Sequence, residues 1–220
     1  MEQSIVFILF IIIVIGLLIF AVLMNAKRKK EWQEFAVRNN LRYLYQDTVG
    51  VPSRYSAFHL FQRGHSRKAY NLCQGKIDNN SYLFFDYRYT TGSGKNKRTH
   101  CYTGLIVNNT FAFQPLVIRP EHFLDKIAAA IGFDDIDFES SEFSTKFHVS
   151  SSNKKFAYDI IHPRMMEFLL NTTNLNIECM GTDVLFHYGK QVPINKADIL
   201  ILESKSFFKL IPEYLRQEQI

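Results

Sequence analysis

The chain has 220 residues, 47% of them hydrophobic and 21% charged, with an aromatic fraction of 15% that includes 20 Phe; it can build a sizeable core, and the length left after its apolar opening suits one domain. All 26 Lys and Arg but only 20 of the 21 acidic residues follow Met24, so this part carries a net +6; that favours an anionic neighbour, for which a lipid leaflet is the nearest candidate and nucleic acid the less economical one. Cys73, Cys101 and Cys179 are odd in number and widely spaced, which argues against a disulfide framework and for reduced thiols.

Residues 5–24 contain no charge. At a rise of ~1.5 Å per residue they cover the ~30 Å hydrocarbon core of a bilayer. Ile, Val, Leu and Phe dominate on every side, whereas a soluble core helix would keep a polar face. A cleaved signal peptide would need a basic start, a shorter apolar stretch and a small-x-small cleavage site, so the segment reads as a signal-anchor. Glu2 is the only charged residue before it, and Lys27, Arg28, Lys29 and Lys30 follow at once. The positive-inside rule therefore puts the N-terminus outside and the rest in the cytoplasm.

This divides the chain into a transmembrane anchor (1–26), a basic juxtamembrane helix (27–46) and a cytoplasmic domain (47–220). In the juxtamembrane part Trp32, Phe35, Ala36 and Leu41 recur at helical spacing, and Asn39-Asn40 marks an end. Two readings stay open. Lys27, Arg28, Lys29, Lys30 and Trp32 can form a membrane-surface patch lying on anionic headgroups, or the apolar stripe can pack on the domain.

Residues 47–56, with Gly50 and Pro52, read as a loop. Strands are predicted over 57–61 and 69–77, broken by Gly64 and by Asp78-Asn79-Asn80. Residues 82–89 and 99–107 form a hairpin around a turn segment carrying Lys95, Lys97 and Arg98. Those three are candidate anion contacts, against a solvated loop as the plainer reading. Residues 115–118 suit a short edge strand. Pro120 and Glu121 open a helix through Ile127, Ala128 and Ile131 that Gly132 ends. Residues 136–149 suggest one long or broken strand. Ser152 or Asn153 caps a helix to Ile161, and Pro163 starts another through Met165, Met166, Leu169 and Leu170.

Residues 175–179 and 184–188 flank the tight-turn signal Gly181-Thr182-Asp183. Asn195 and Asp198 resemble a capping box that opens a helix to about Leu210, before Pro212. A βαβ rhythm is absent, so the class is α+β: one N-terminal transmembrane helix, then a single domain with a mainly antiparallel sheet and helices concentrated in the C-terminal half.

Each catalytic pattern meets an obstacle. Gly92-Ser93-Gly94-Lys95 lacks the P-loop's earlier Gly and its hydroxyl, because those places hold Tyr89 and Asn96. Asp135, Asp137 and Glu139 would share one face of a strand, as a metal edge or a solvated face with Ile136 and Phe138 pointing inward. Asp183, Glu203 and Lys205 meet the needs of a metal-dependent, nuclease-like hydrolase only if 199–202 is a strand. The seven histidines show no metal spacing. A Cys-His nucleophile would have to assemble in space from Cys73 or Cys101. No catalytic residue, metal ligand or cofactor is assigned.

The stretch Phe138-Glu139-Ser140, then Glu142-Phe143, Phe147-His148-Val149 and 157–165 with His162-Pro163, resembles an uncharacterised group of bacterial membrane-anchored proteins, many with two spans. There an acidic-aromatic strand precedes a helix, a Pro and an apolar helix. The resemblance covers about a third of the chain and implies a membrane-attached cytoplasmic domain without transferring a catalytic residue. The reading that results is a membrane-tethered binding or scaffold module of unknown ligand, with the bilayer as its partner. A membrane-bound hydrolase and an anionic-lipid recognition domain are its rivals.

Overall fold

The computed structural model describes residues 2–121 and 136–217. The helix expected from Pro120 to Gly132 falls mostly outside the described residues, as does Asp135; Pro120 itself ends a strand.

One helix, α1 (Glu2–Arg38), carries the apolar opening without a break into the domain. Among the described residues it is the one helix long and apolar enough to cross a membrane. Residues 5–24 are exposed all round, with none of the apolar window buried in the protein, the arrangement expected of a segment solvated by lipid. After Met24 the same helix turns one face inward. Trp32, Phe35 and Ala36 are buried, and Leu41 follows them into the core beyond a turn at Asn40. The juxtamembrane segment is thus part of the domain and not a separate stalk: its last residues are the edge strand β1 (Arg42–Gln46), paired with β2.

The domain is α+β, with every strand pairing antiparallel. After β1 come two single turns of helix, α2 (Val51–Arg54) and α3 (His59–Gln62), in place of the loop and the strand expected there. Next are β2 (His65–Ile77), β3 (Asn80–Thr91) and β4 (Arg98–Pro120). The second half holds α4 (Ser141–Lys146), β5 (Phe147–Ser151), α5 (Lys154–Ile160), α6 (Pro163–Leu170), β6 (Asn176–His187), α7 (Asn195–Leu210) and α8 (Glu213–Gln217). The sheet runs β1-β2-β3-β4-β5, with β6 also on β4.

Residues 115–118 are not an edge: Leu116, Val117 and Ile118 pair with β5 on one side and β6 on the other. The expected strand over 136–149 is broken by α4, where the Ser140 hydroxyl accepts from Phe143 N and caps a helix. The turn signal at Gly181 is real. Its φ of +58° suits glycine, and β6 bends back on itself around it, bringing its two ends together so that the Asn176 side-chain amide donates to His187 O at 3.3 Å from eleven residues away. β4 follows this reversal, its residues 104–108 lying against 187–183 and 113–118 against 181–177.

Both faces of the sheet are covered, which explains why β3 is aromatic and buried almost throughout rather than alternating with polar residues. Tyr82 and Phe84 face the larger core with α1, α5, α6 and α7. Leu83, Phe85, Tyr87 and Tyr89 face a second core under α2 and α3 with Val51, Phe58, Leu60 and Phe61. Gly104 is where β4 makes room for this layer. A Cβ there would come within 2.6 Å of the Phe85 ring, its cross-strand partner.

Candidate functional site

The site that relates the membrane to the domain is where α1 docks on β3. Asp86 is fully buried and is held from four sides. Arg28 grips it with a two-toothed guanidinium, Nε to Oδ2 at 2.7 Å and Nη2 to Oδ1 at 2.6 Å. Trp32 Nε1 donates at 2.9 Å, Asn71 Nδ2 at 3.0 Å and the Thr103 hydroxyl at 3.2 Å. Arg28 also reaches Thr103 Oγ1 at 2.9 Å and Val192 O at 3.1 Å. A buried carboxylate is stable only when paired and hydrogen-bonded, and these donors come from α1, β2 and β4.

Trp32 therefore does not lie on the headgroups. Its indole nitrogen is used by Asp86, and its ring packs edge-on against Phe35 at 5.4 Å and near Phe84 at 6.3 Å. Arg28 is likewise drawn in, its side chain 18% exposed. Lys27, Lys29 and Lys30 remain at the surface. Lys27 and Lys30 pair loosely, at 3.9 Å, with Glu31 and Glu34 one turn on, while Lys29 Nζ lies 4.8 Å above the Tyr45 ring. What sequence reading missed was Asp86: a lone acid inside an aromatic strand is the one local sign that a cation must come to it.

The docking also sets direction. As α1 passes from Arg28 to Phe35, its partners on β3 step back from Asp86 to Phe84, so helix and strand run antiparallel. The end of β3, the start of β2 and the turn bearing Lys95, Lys97 and Arg98 consequently lie on the side from which the span enters. The turn is a 3-10 element (Gly94–Asn96) with its side chains exposed.

The nuclease-like set does not assemble. Residues 199–202 lie within α7. Glu203 accepts from Tyr188 Oη at 2.6 Å, Lys205 pairs with Asp78 at 2.6 Å and Asp183 accepts from Asn108 at 2.8 Å, three separate engagements. Asn195 does not cap α7 with its side chain; Asp198 instead accepts from Arg38 at 3.1 Å, tying the end of α1 to α7. Asp137 and Glu139 lie exposed beside the buried Ile136 and Phe138, as a solvated face requires. No cluster of three or more metal-binding side chains occurs among the described residues. Burial pushes the Cys73 thiol up to about 12 and the Cys179 thiol well above its ordinary value, which removes both as thiolates at neutral pH.

On the opposite face of the sheet a second buried carboxylate, Glu178, accepts from the main-chain N–H of His59 at 2.7 Å and faces His59 Nδ1 at 3.1 Å. Burial alone would raise its pKa, but the His59 contacts outweigh it and hold the carboxyl below its ordinary value. His187 lies 4.0 Å away, and burial lowers its pKa to about 4. Its Nδ1 accepts from Gly189 N at 3.0 Å, a bond that only the neutral ring can make. Glu178 and His187 are sealed from solvent, so the network is a structural tie. A groove of about 990 Å³ lies among α4, α5 and α6, lined by Phe138, Glu142, Tyr158, His162, Met166 and Glu167. The segment that resembles the uncharacterised bacterial group folds around this groove.

Together these features define a single-pass membrane protein whose anchor helix is built into an α+β domain. No family model and no curated protein matches the chain. Among solved structures it is similar to the crystal structure of the mycobacterial trehalose monomycolate transport factor A, TtfA, with a TM-score of 0.59 and 13% sequence identity over 84% of this chain and 95% of that one. At that identity the likeness concerns the fold.

Proposed function

We propose that the chain is a membrane-tethered, non-enzymatic binding module that presents its domain to the cytoplasmic leaflet in one fixed orientation. The observation that carries this reading is the Arg28 clamp on Asp86, one turn beyond the span. A flexible linker would let a domain sample all orientations, whereas an unbroken helix buried through Trp32 and Phe35 removes that freedom. Lys27, Lys29 and Lys30 then meet anionic headgroups directly, with Lys95, Lys97 and Arg98 reaching the same surface from the β3–β4 turn. The protein of similar fold is a transport factor, which is compatible with a binding role. The ligand is of a kind that meets the protein at or near the bilayer.

The test has two arms. Cysteines introduced at Lys95 and at the N-terminus are labelled with an impermeant maleimide in intact cells and in inverted vesicles. The domain should label only in the inverted vesicles, and the opposite result would place it outside. Purified full-length protein is then offered phosphoester, peptide and glycoside substrates. Turnover abolished by Glu203→Ala would overturn the non-enzymatic reading.

A further inference from the structure

We propose that the small cavity beside the last exposed turn of α1 is a binding site for a phosphate group of the kind carried by an anionic phospholipid headgroup. The proposal rests on the membrane-tethered reading and gives it a ligand class. The cavity has a volume of about 140 Å³, and Asn25, Arg28, Tyr45, Lys68 and Arg88 are among the residues around it.

Three observations converge there. Lys68 and Arg88 stand directly opposite each other on β2 and β3, an arrangement in which like charges repel and weaken the strand pair. Both are exposed, and among the described residues neither forms an ion pair. Asp86, two residues from Arg88 on the same face, is already held by Arg28. A sheet that keeps two cations face to face, with a third behind them, is completed by an anion between them.

The second observation is depth. Asn25 is the first residue after the apolar run 5–24, so the cavity opens at the level where hydrocarbon gives way to headgroups. The third is Tyr45, an exposed aromatic on the edge strand with Lys29 over its ring. Tyrosine with one apolar and one wet end is characteristic of that level. The donor chemistry selects phosphate: an Arg fork matches two of its oxygens, and Lys supplies a point charge.

The full-length protein in uncharged maltoside micelles is titrated with short-chain phosphatidylglycerol and, separately, with inorganic phosphate. Binding is read by the fluorescence of Trp32, the only Trp and a hydrogen-bond partner of Asp86, and by melting temperature. Phosphatidylglycerol should bind saturably and raise the melting temperature. Lys68→Ala with Arg88→Ala should weaken it by roughly tenfold or more while leaving the lipid-free melting temperature unchanged or higher, since a repulsion is removed. Lys154→Ala with Lys155→Ala removes the same charge from the exposed start of α5 and should change binding by less than about twofold.

Phosphatidylglycerol binding more tightly than inorganic phosphate assigns the site to a lipid headgroup. Equal binding, lost in the same double variant, assigns it to a soluble phosphate. Absence of saturation, or equal weakening by the two double variants, overturns the proposal in favour of diffuse attraction. Failure of tethering would appear instead as release of the chain on alkaline extraction of membranes, so the two readings fail separately.

Discussion

Asp86 and Glu178 are both buried carboxylates on the same sheet, yet they are stabilised in different ways. Asp86, on the α1 face, is matched by a permanent cation and three neutral donors. Glu178, on the α3 face, accepts from the His59 main-chain N–H and lies beside His187, whose pKa burial lowers to about 4, so the charge beside it changes only when acid protonates that ring. The first is a fixed fastening where the membrane helix enters. The second is a tie between the α3 layer and the β6 turnback whose strength varies with acidity.

The most severe test of this contrast is Arg28→Ala. It leaves Asp86 buried without its cation, at an expected cost of about 3–5 kcal/mol in urea unfolding of the micelle-bound protein. The paired change Arg28→Met with Asp86→Leu should recover most of that loss; failure to recover would mean that the clamp does more than neutralise a buried charge.

Next comes the acid sensitivity of the other face. His187 has a folded pKa of about 4 against 6.5 for the free side chain. The unfolded chain therefore binds the extra proton first, and stability falls as pH drops from about 6.5 to 4. The loss should approach roughly 3 kcal/mol, and His187→Gln should flatten that part of the stability profile.

Gly104→Ala probes the strand between the two networks, because Thr103 faces Asp86 while Gly104 pairs with His187 and lies under Phe85. The Cβ would have to displace the ring, for about 1–3 kcal/mol. Lys30→Ala, which removes an exposed 3.9 Å pair on α1, should change stability by less than about 0.5 kcal/mol.

How much could be read beforehand followed the range of the interactions. The α5 cap at Asn153, the Pro163 start of α6 and the reversal at Gly181 were all legible, since each depends on its immediate neighbours. Residues 57–61 were not: an aromatic run suits a buried strand or a short helix equally until the face it covers is known. Here α3 lies over Phe85 and Tyr87. Periodicity marked Trp32 and Phe35 as one stripe but left two apolar solvents open, lipid and protein core. The stripe turns to the core because Asp86 takes the Trp32 nitrogen.

Residues 5–24 needed no partner to be understood, because uncharged apolar side chains on every side of a helix leave lipid as the solvent whatever the rest of the chain does. The direction of that helix across β3, the burial of Arg28 against Asp86 and the meeting of Lys68 with Arg88 at its exit were decided by tertiary structure alone. The reason is that each joins residues far apart in sequence, through a strand register that no local pattern encodes.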